Sequence, residues 1–272
     1  MKIILVTIGN YQEYILDNIK QLLLFNNHDI TVITNKEYFD YFHEYNITLI
    51  DCNELSDYHF NDNSHLDKQF RNGFWHYCSL RLFYVYSYIK QYQLSKCIHL
   101  ENDVLTYVDF DTLTFKENKI YATFDCDHRV IPGIVYIPND IAFEPIISQY
   151  NTTLNDMENL ARFDESVILP LPIFPNINEI NKLNKLYDEF NMIFDGAAMG
   201  QYLGGIDPRN DSNDTIGFVN ETCVIKYNAY EFEWVKLDDL LIPYLVIESN
   251  KYRICNLHIH CKQLNKFISN RY

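Results

Sequence analysis

The sequence lacks any apolar run long enough to cross a membrane. Its N-terminus is apolar from Ile3 to Ile8 and then reaches Gly9-Asn10, which is too short for a secretory signal and far below the roughly 20 residues of a bilayer span. We interpret this segment as a first buried strand. No transmembrane segment is therefore predicted, and the expected location is the cytoplasm.

The sequence is also short of basic residues. Its 22 lysines and arginines stand against 37 aspartates and glutamates, which gives a net charge of −15. This balance argues against nonspecific binding to nucleic acid or to an anionic membrane, because both carry negative charge. It leaves room for a local basic pocket that binds a small anion. The seven cysteines include no CxxC pair, so we interpret them as reduced packing residues.

Apolar side chains are plentiful, at 47% of the 272 residues, with 15% aromatic. That is enough for a sizeable core. Strand and helix patterns alternate through the first hundred residues, and the longest helix is predicted at Arg71–Gln91, before a strand at Cys97–Leu100. This order predicts an α/β fold with a mixed, mostly parallel central sheet and flanking helices. No repeat or flexible linker divides the chain, so we expect a single domain over residues 1–272.

Polar residues follow three of the predicted strands. They are Thr7, Ile8, Gly9 and Asn10 after the first strand, Thr34 and Asn35 at the second, and Glu101, Asn102 and Asp103 after Cys97–Leu100. Ligands of such sheets bind at the carboxyl ends of the strands. The sequence therefore predicts that these segments meet in one crevice.

Glu101 and Asp103 are the most informative pair. If the strand continues through them, its alternation places both carboxylates on one side. Two acids this close repel each other and are costly to bury unless a cation joins them. A divalent metal with oxygen ligands is the natural cation, and such metals commonly bridge substrate phosphates. The pair predicts a metal site at the end of a buried strand.

A second motif lies near the C-terminus, where His258 and His260 alternate along a late strand predicted at Leu257–His260. Imidazole is a common metal ligand, so one of these histidines is expected to complete the metal shell. His260 is slightly favoured because it adjoins Lys262, whose ammonium suits a phosphate, although spacing does not decide between the two. A further late strand is predicted at Val224–Tyr227.

Three other charged residues could carry chemistry. Asp195 stands before a helix predicted at Ala197–Leu203, where it is either a structural N-cap or a group that binds sugar hydroxyls or acts as a base. Arg81 lies in an apolar stretch of the long helix and needs a partner, either a core carboxylate or a diphosphate. Asp127 belongs to a rival acid-x-acid pair with Asp125 that looks more like a loop.

Taken in order, these motifs resemble a GT-A glycosyltransferase. The stretch from Arg81 to Asp103 is similar to the segment in which an arginine-bearing helix precedes the strand with the DxD motif. His258-x-His260-x-Lys262 resembles the element that closes the metal-diphosphate site in family-8-like enzymes. The segment Phe194–Gly205, followed by Asp207-Pro208-Arg209, is similar to one in uncharacterised glycosyltransferases of large DNA viruses and some microbes. If the protein is viral, the expected location is the host cytoplasm.

The resemblance implies an activity and its cofactors. A nucleotide sugar, most simply a UDP-sugar, would bind the strand-end residues named above, with Arg81 and Lys262 near the phosphates. Mn²⁺ or Mg²⁺ would be held by Glu101, Asp103 and a C-terminal histidine. The acceptor would be a glycan or a protein, and an inverting enzyme would need a base, for which Asp195 is the first candidate and Asp127 the second. Residues 1–110 would form the nucleotide-binding half and 111–272 the acceptor and metal-closing half.

Two departures from the family pattern leave other classes open. Glutamate replaces the usual first aspartate at position 101, and Lys262 is closer to the histidines than in family 8, which makes Lys266 an alternative phosphate contact. A nucleotidyltransferase acting on sugar phosphates would also use paired carboxylates, but the loop after the first strand has one glycine and no lysine. A catalytically inactive nucleotide- or sugar-binding homologue is the third possibility.

Overall fold

The computed structural model describes residues 1–177, 181–210 and 215–270. Within these ranges the strands, in chain order, are β1 (Lys2–Thr7), β2 (Ile30–Thr34), β3 (Thr48–Asp51), β4 (Cys97–Leu100), β5 (Val104–Thr106), β6 (Ile120–Cys126), β7 (Arg129–Ile137), β8 (Ile168–Leu171), β9 (Ile193–Phe194), β10 (Glu231–Leu237), β11 (Leu240–Ile247) and β12 (Asn250–His258). The helices are α1 (Ile15–Leu24), α2 (Phe60–Asn63), α3 (Phe74–Gln91), α4 (Asp140–Ser148), α5 (Asp156–Leu160), α6 (Tyr187–Phe190) and α7 (Met199–Gly204).

Seven strands form the central sheet in the order β3-β2-β1-β4-β7-β6-β8. The pairs among β3, β2, β1 and β4 are parallel, and so is the pair of β6 with β8. Strand β7 runs antiparallel to both of its neighbours, β4 and β6. The predicted mixed, mostly parallel sheet of a GT-A-like α/β fold is therefore confirmed.

Both faces of this sheet are covered, as its apolar strands require. Along β1, Ile3 and Leu5 join the apolar core on one face, while Ile4 and Val6 join the core on the other. Because successive side chains of a strand point to opposite faces, an uninterrupted apolar run fits a strand that is buried on both sides. No helix in the described part of the chain combines the length and apolar character needed to span a bilayer.

A smaller sheet carries the C-terminal part of the fold. Its strands run antiparallel in the order β10-β11-β12-β5, and β9 pairs with β12 in parallel. The prediction of a strand at Val224–Tyr227 is wrong, since Val224 and Ile225 lie in a bend, Tyr227 begins a 3-10 helix and Val224 is 52% exposed. Of the last predicted strand, Leu257–His260, only Leu257 and His258 are in a strand, as the end of the longer β12, and His260 lies in the turn that follows.

The long helix begins later than its apolar pattern predicted. Helix α3 starts at Phe74 rather than Arg71, because Gly73, with φ +84°, adopts the left-handed conformation that interrupts a right-handed helix. Arg71 and Asn72 also have positive φ, at +47° and +57°. The chain thus turns sharply just before α3, at the edge of the cavity described below.

Candidate functional site

The acidic triplet lies where the two sheets meet. Strand β4 of the large sheet ends at Leu100 and β5 of the small sheet begins at Val104, so Glu101, Asn102 and Asp103 form the turn between them. The turn is held by its backbone: the Glu101 N–H donates to the Gly133 carbonyl at 2.9 Å, and the Ile259 N–H donates to the Asp103 carbonyl at 2.8 Å.

This geometry differs from the strand alternation on which the prediction depended. Glu101 and Asp103 still converge, because the turn directs both side chains toward the end of β12. The Nε2 atom of His258 lies 2.9 Å from a carboxylate oxygen of Glu101 and 3.3 Å from one of Asp103. One potential ligand atom from each of the three residues lies within 4.8 Å of the others.

The histidine beside the carboxylates is His258. The ring of His260 stacks on it, with centroids 4.2 Å apart and an interplanar angle of 28°. The structure thus groups His258, and not the slightly favoured His260, with the two carboxylates, although both histidines line the cavity described below. His258 itself lies against Gly133, where a Cβ atom would stand 2.9 Å from its Nδ1, so the glycine leaves room for the ring.

The donor set fits a divalent metal. Two carboxylates and one imidazole supply the oxygen and nitrogen ligands that suit Mn²⁺, and oxygen ligands suit Mg²⁺ as well. All three side chains are largely buried, with Glu101 the most accessible at 16%. Burial of two close carboxylates calls for compensating positive charge, which here comes from protein cations.

Those cations shift the pKa values of the cluster. Burial alone would raise the pKa of Glu101, but the charges of Arg81 and then His258 outweigh it and lower that pKa. Lys262 and His258 likewise lower the pKa of Asp103 against the effect of burial. Burial would lower the pKa of His258, yet Asp103 and Glu101 raise it to about 10. Burial and the charge of His258 lower the pKa of His260.

These shifts predict a pH dependence for the protein kept free of metal. The pKa of His258 rises from its usual 6.5 to about 10 on folding, so its proton stabilises the fold fully below pH 6.5 and less as pH rises toward 10. The lowered carboxylate pKa values add stability that is lost only in acid. We expect His258→Gln to reduce the unfolding temperature in EDTA more at pH 6.5 than at about pH 9.5. An equal reduction at both pH values would contradict the ion pair.

The two basic residues predicted near the phosphates are both paired with acids. Lys262 contacts Asp103, and its ammonium lies 5.6 Å from the centre of the Tyr14 ring. Arg81 contacts Glu101 and donates to Asp156 at 2.7 Å. Of the two interpretations of Arg81, the structure shows the one in which its partner is a carboxylate. Arg81 therefore holds the Glu101 side chain in place at the wall of the cavity.

The strand ends divide into residues that face the cavity and residues that support it. Thr7, Ile8 and Asn10 line the cavity. Gly9, with φ +73°, lies under the Tyr77 ring, where a Cβ atom would approach within 2.3 Å.

The supporting residues form hydrogen bonds to the end of β1 and the loop that follows it. The Asn35 side chain accepts from the Gly9 N–H at 2.9 Å, and the Thr34 hydroxyl donates to the Thr7 carbonyl at 2.7 Å. The Asn102 amide also lies on the cavity wall and donates to the Val6 carbonyl at 2.8 Å and to Gln12 at 2.7 Å. Thr34 and Asn35 do not line the cavity and position β1 instead.

The two candidate bases lie outside the residues that line the cavity. Asp195 is fully buried, and its carboxylate accepts the backbone N–H groups of Ala198, Met199, Gly200 and His258 at 2.7 to 2.9 Å. The structure thus corrects the catalytic interpretation of Asp195, which is a structural cap that ties α7 to β12. Asp127 is exposed in the turn between β6 and β7, and this placement likewise does not support a role as base.

A cavity of about 720 Å³ opens above the acidic cluster. That volume suits a nucleotide-sized ligand. Asp207 and Arg209 of the Asp207-Pro208-Arg209 segment line the cavity, although no specific role was predicted for them from the sequence. Several other lining residues were not recognised from the sequence: Tyr11, Tyr14, Arg71, Trp75, Tyr77, Arg129 and Asp156. Only Tyr11 carried a local signal, since it directly follows the Gly9-Asn10 strand end. The others are single residues of common types, which the fold brings together from distant segments.

Comparisons with known proteins find distant similarity to solved structures. No family model matches the sequence, and no curated protein matches it. Among solved structures, the galactosyltransferase LgtC bound to donor and acceptor sugar analogues is similar at 14% identity and a TM-score of 0.38, over 60% of this chain and 69% of that one.

Two further similar structures differ in activity. The bifunctional glycosyltransferase WbbM is 12% identical with a TM-score of 0.44, over 64% of this chain and 39% of WbbM. A cytidylyltransferase of Leptospira borgpetersenii is 11% identical with a TM-score of 0.39, over 68% of this chain and 80% of that chain. At this level of similarity, function has to be argued from the residues of the cavity.

Proposed function

We propose that this protein is a metal-dependent glycosyltransferase that moves a sugar from a nucleotide sugar, most simply a UDP-sugar, to a glycan or protein acceptor. The observation that carries the proposal is the group formed by Glu101, Asp103 and His258 at the floor of a cavity of about 720 Å³. The metal-ligand set and the space for a nucleotide occur together at the carboxyl ends of β1 and β4, where α/β sheets bind ligands.

The three residues would hold Mn²⁺ or Mg²⁺. When bound, such an ion neutralises charge that develops on a departing diphosphate. His258 must be neutral to bind a metal, so metal binding competes with the proton that it shares with the carboxylates. Lys262, which contacts Asp103, lies beside the same position. It supplies a point charge for phosphate oxygens and adds to stabilisation of the leaving group.

A nucleotide site also needs a surface that binds the base, and an aromatic residue can supply it. The Tyr11 ring lines the cavity beside Asn10 and stacks on Tyr41, with centroids 4.1 Å apart. A ring held in this way offers an aromatic surface on which a base can stack, and such stacking contributes about 1–3 kcal/mol per base. Thr7 and Asn10 add polar groups at the same strand end.

We assign no catalytic role to Asp127 or Asp195. Neither lines the cavity, and the Asp195 carboxylate is already engaged by four backbone donors. A retaining transfer would need no general base at either position. The chain's own contribution, as proposed here, is therefore to hold the metal, orient the diphosphate and enclose the sugar.

A thermal-shift screen tests the proposal. The protein is heated with nucleoside diphosphates, triphosphates and nucleotide sugars, each with Mn²⁺ or with EDTA. Because a ligand that binds only the folded state raises stability, we expect stabilisation by uridine diphosphate and by one UDP-sugar that requires Mn²⁺. Stabilisation by triphosphates together with sugar phosphates would instead favour a nucleotidyltransferase. No response to any nucleotide would refute both activities.

A further inference from the structure

Two arginines from distant parts of the chain meet at the edge of the cavity. Arg71 precedes α3 and Arg209 follows α7, and both line the cavity. Their guanidinium carbons lie 5.9 Å and 5.6 Å from the centre of the same ring, that of Phe74. An aromatic face attracts a nearby cation, so Phe74 helps to hold both arginines at this edge.

The carboxylate of Asp207 is an ion-pair partner of both arginines. Arg209 donates to Asp207 through Nε at 3.1 Å and Nη2 at 2.7 Å, while the closest nitrogen of Arg71 is 4.0 Å from Asp207. Arg71 also donates to the Arg209 carbonyl at 3.2 Å and contacts Asn210. Among the residues that the structure describes, this ion-paired group therefore holds two guanidinium groups and one carboxylate, an excess of one positive charge. The Arg209 side chain is 46% exposed, so part of that charge faces solvent.

The backbone at Arg71 is unusual as well. Arg71, Asn72 and Gly73 have φ values of +47°, +57° and +84°. A residue with a Cβ atom adopts this region at a cost in free energy, and such strain concentrates at binding and active sites. The strained turn places the Arg71 side chain on the cavity wall beside the segment that carries Arg209.

We propose that Arg71 and Arg209 bind an acidic group of the acceptor, a carboxylate or a phosphate. The inference rests on the proposed glycosyltransferase function and extends it by naming the acceptor class. Guanidinium groups bind such anions through paired hydrogen bonds. A protein with a net charge of −15 repels acidic acceptors in general, and a local pair of arginines at the entrance overcomes that repulsion. Lys262 contacts Asp103 in the proposed metal group and is assigned to the donor instead.

The first experiment asks whether the arginine pair contacts the donor instead. The affinity for UDP with Mg²⁺ is measured by calorimetry for the wild type, Arg71→Gln, Arg209→Gln and Lys262→Gln. We expect the two arginine variants to stay within about twofold of the wild type and Lys262→Gln to lose about tenfold. The exposed Arg162, outside the cavity lining, provides the matched control Arg162→Gln. A tenfold loss in Arg71→Gln or Arg209→Gln would overturn the assignment to the acceptor.

The second experiment compares matched acceptor analogues on the protein saturated with UDP and Mg²⁺. The pairs are 4-nitrophenyl glucuronide with 4-nitrophenyl glucoside, and galactose 6-phosphate with galactose, each followed by saturation-transfer NMR. We expect the acidic member of at least one pair to bind about tenfold more tightly than its neutral partner, and Arg71→Gln to remove that preference. Equal binding of acidic and neutral members, or a preference that survives in Arg71→Gln, would overturn the inference. Failure of UDP to bind at all would instead count against the proposed function.

Discussion

Replacement of Asp103 by asparagine is expected to remove Mn²⁺-dependent nucleotide binding and to reduce sugar transfer by roughly 1000-fold, equivalent to about 4 kcal/mol. Asp103 is one of three potential ligands in the Glu101–Asp103–His258 group, and it also pairs with Lys262. Its loss therefore removes a negative ligand and leaves a positive charge facing the position of the metal. Calorimetry with UDP and Mn²⁺ measures the binding, and release of UDP measures turnover.

The matched control is Asp62→Asn, which removes an exposed carboxylate of α2 outside the cavity lining. It should bind and turn over like the wild type. Unfolding temperature in EDTA shows whether Asp103→Asn is folded. A folded Asp103→Asn protein that binds UDP with Mn²⁺ as the wild type does would refute the metal assignment and, with it, the mechanism.

Replacement of Asp195 by alanine should be the most destabilising single change in this region. Its carboxylate accepts four backbone N–H groups, those of Ala198, Met199, Gly200 and His258, in a fully buried position. Each buried donor left without a partner costs about 1–3 kcal/mol. Because some donors can find water once the side chain is gone, we expect a total loss of about 4 kcal/mol in the free energy of unfolding.

Urea denaturation measures the loss in the free energy of unfolding, and two further variants serve as comparisons. Asp195→Asn keeps one acceptor oxygen and should lose about half as much. Asp57→Ala is the control: its carboxylate accepts the His59 and Asn61 N–H groups at 3.1 Å each in an exposed turn, where water replaces it, so a loss below about 1 kcal/mol is expected. Equal losses for Asp195→Ala and Asp57→Ala would show that the buried cap is not important for stability.

Much of the large sheet could be predicted because its strands are apolar on both faces. Runs such as Ile3–Ile8 and Cys97–Leu100 have few alternatives to a buried strand, and their order along the chain restricts the topology. The boundaries were less accurate where backbone conformation decides them. The start of α3 depends on Gly73 in a left-handed conformation, which the helical apolar pattern of Arg71–Gln91 does not reveal.

The small sheet was harder to predict from sequence. Strands β10 and β11 pair from Glu231 with Val246 to Leu237 with Leu240, but β10 is only partly buried and its polar-apolar alternation covers only its first four residues. Its two aromatic residues, Phe232 and Trp234, suit either a core or a sugar surface. The short run Val224–Tyr227, with several apolar residues, gave a false strand because length alone does not separate a strand from a packed turn.

The candidate site could be predicted where one local motif carries the chemistry. Glu101-x-Asp103 and His258-x-His260 were recognisable because several ligand-type residues stand close together in sequence. Asp195 was ambiguous because a helix cap and a catalytic acid share the same local pattern, and only burial separates them. The pairing of Arg71 with Arg209 was not found, although Arg209 belongs to the Asp207-Pro208-Arg209 segment, because no local pattern connects two single arginines that are brought together by the fold.

The turn at residues 101–103 is also the shortest chain connection between the two sheets among the described residues, since β4 belongs to one and β5 to the other. His258 reaches this turn from β12, which pairs with β5. An ion held by Glu101, Asp103 and His258 would therefore fasten both sheets to one point. Any tilt of one sheet against the other changes the ligand distances directly. With such an ion bound, the feature that defines the site would make metal occupancy sensitive to mechanical deformation of the molecule.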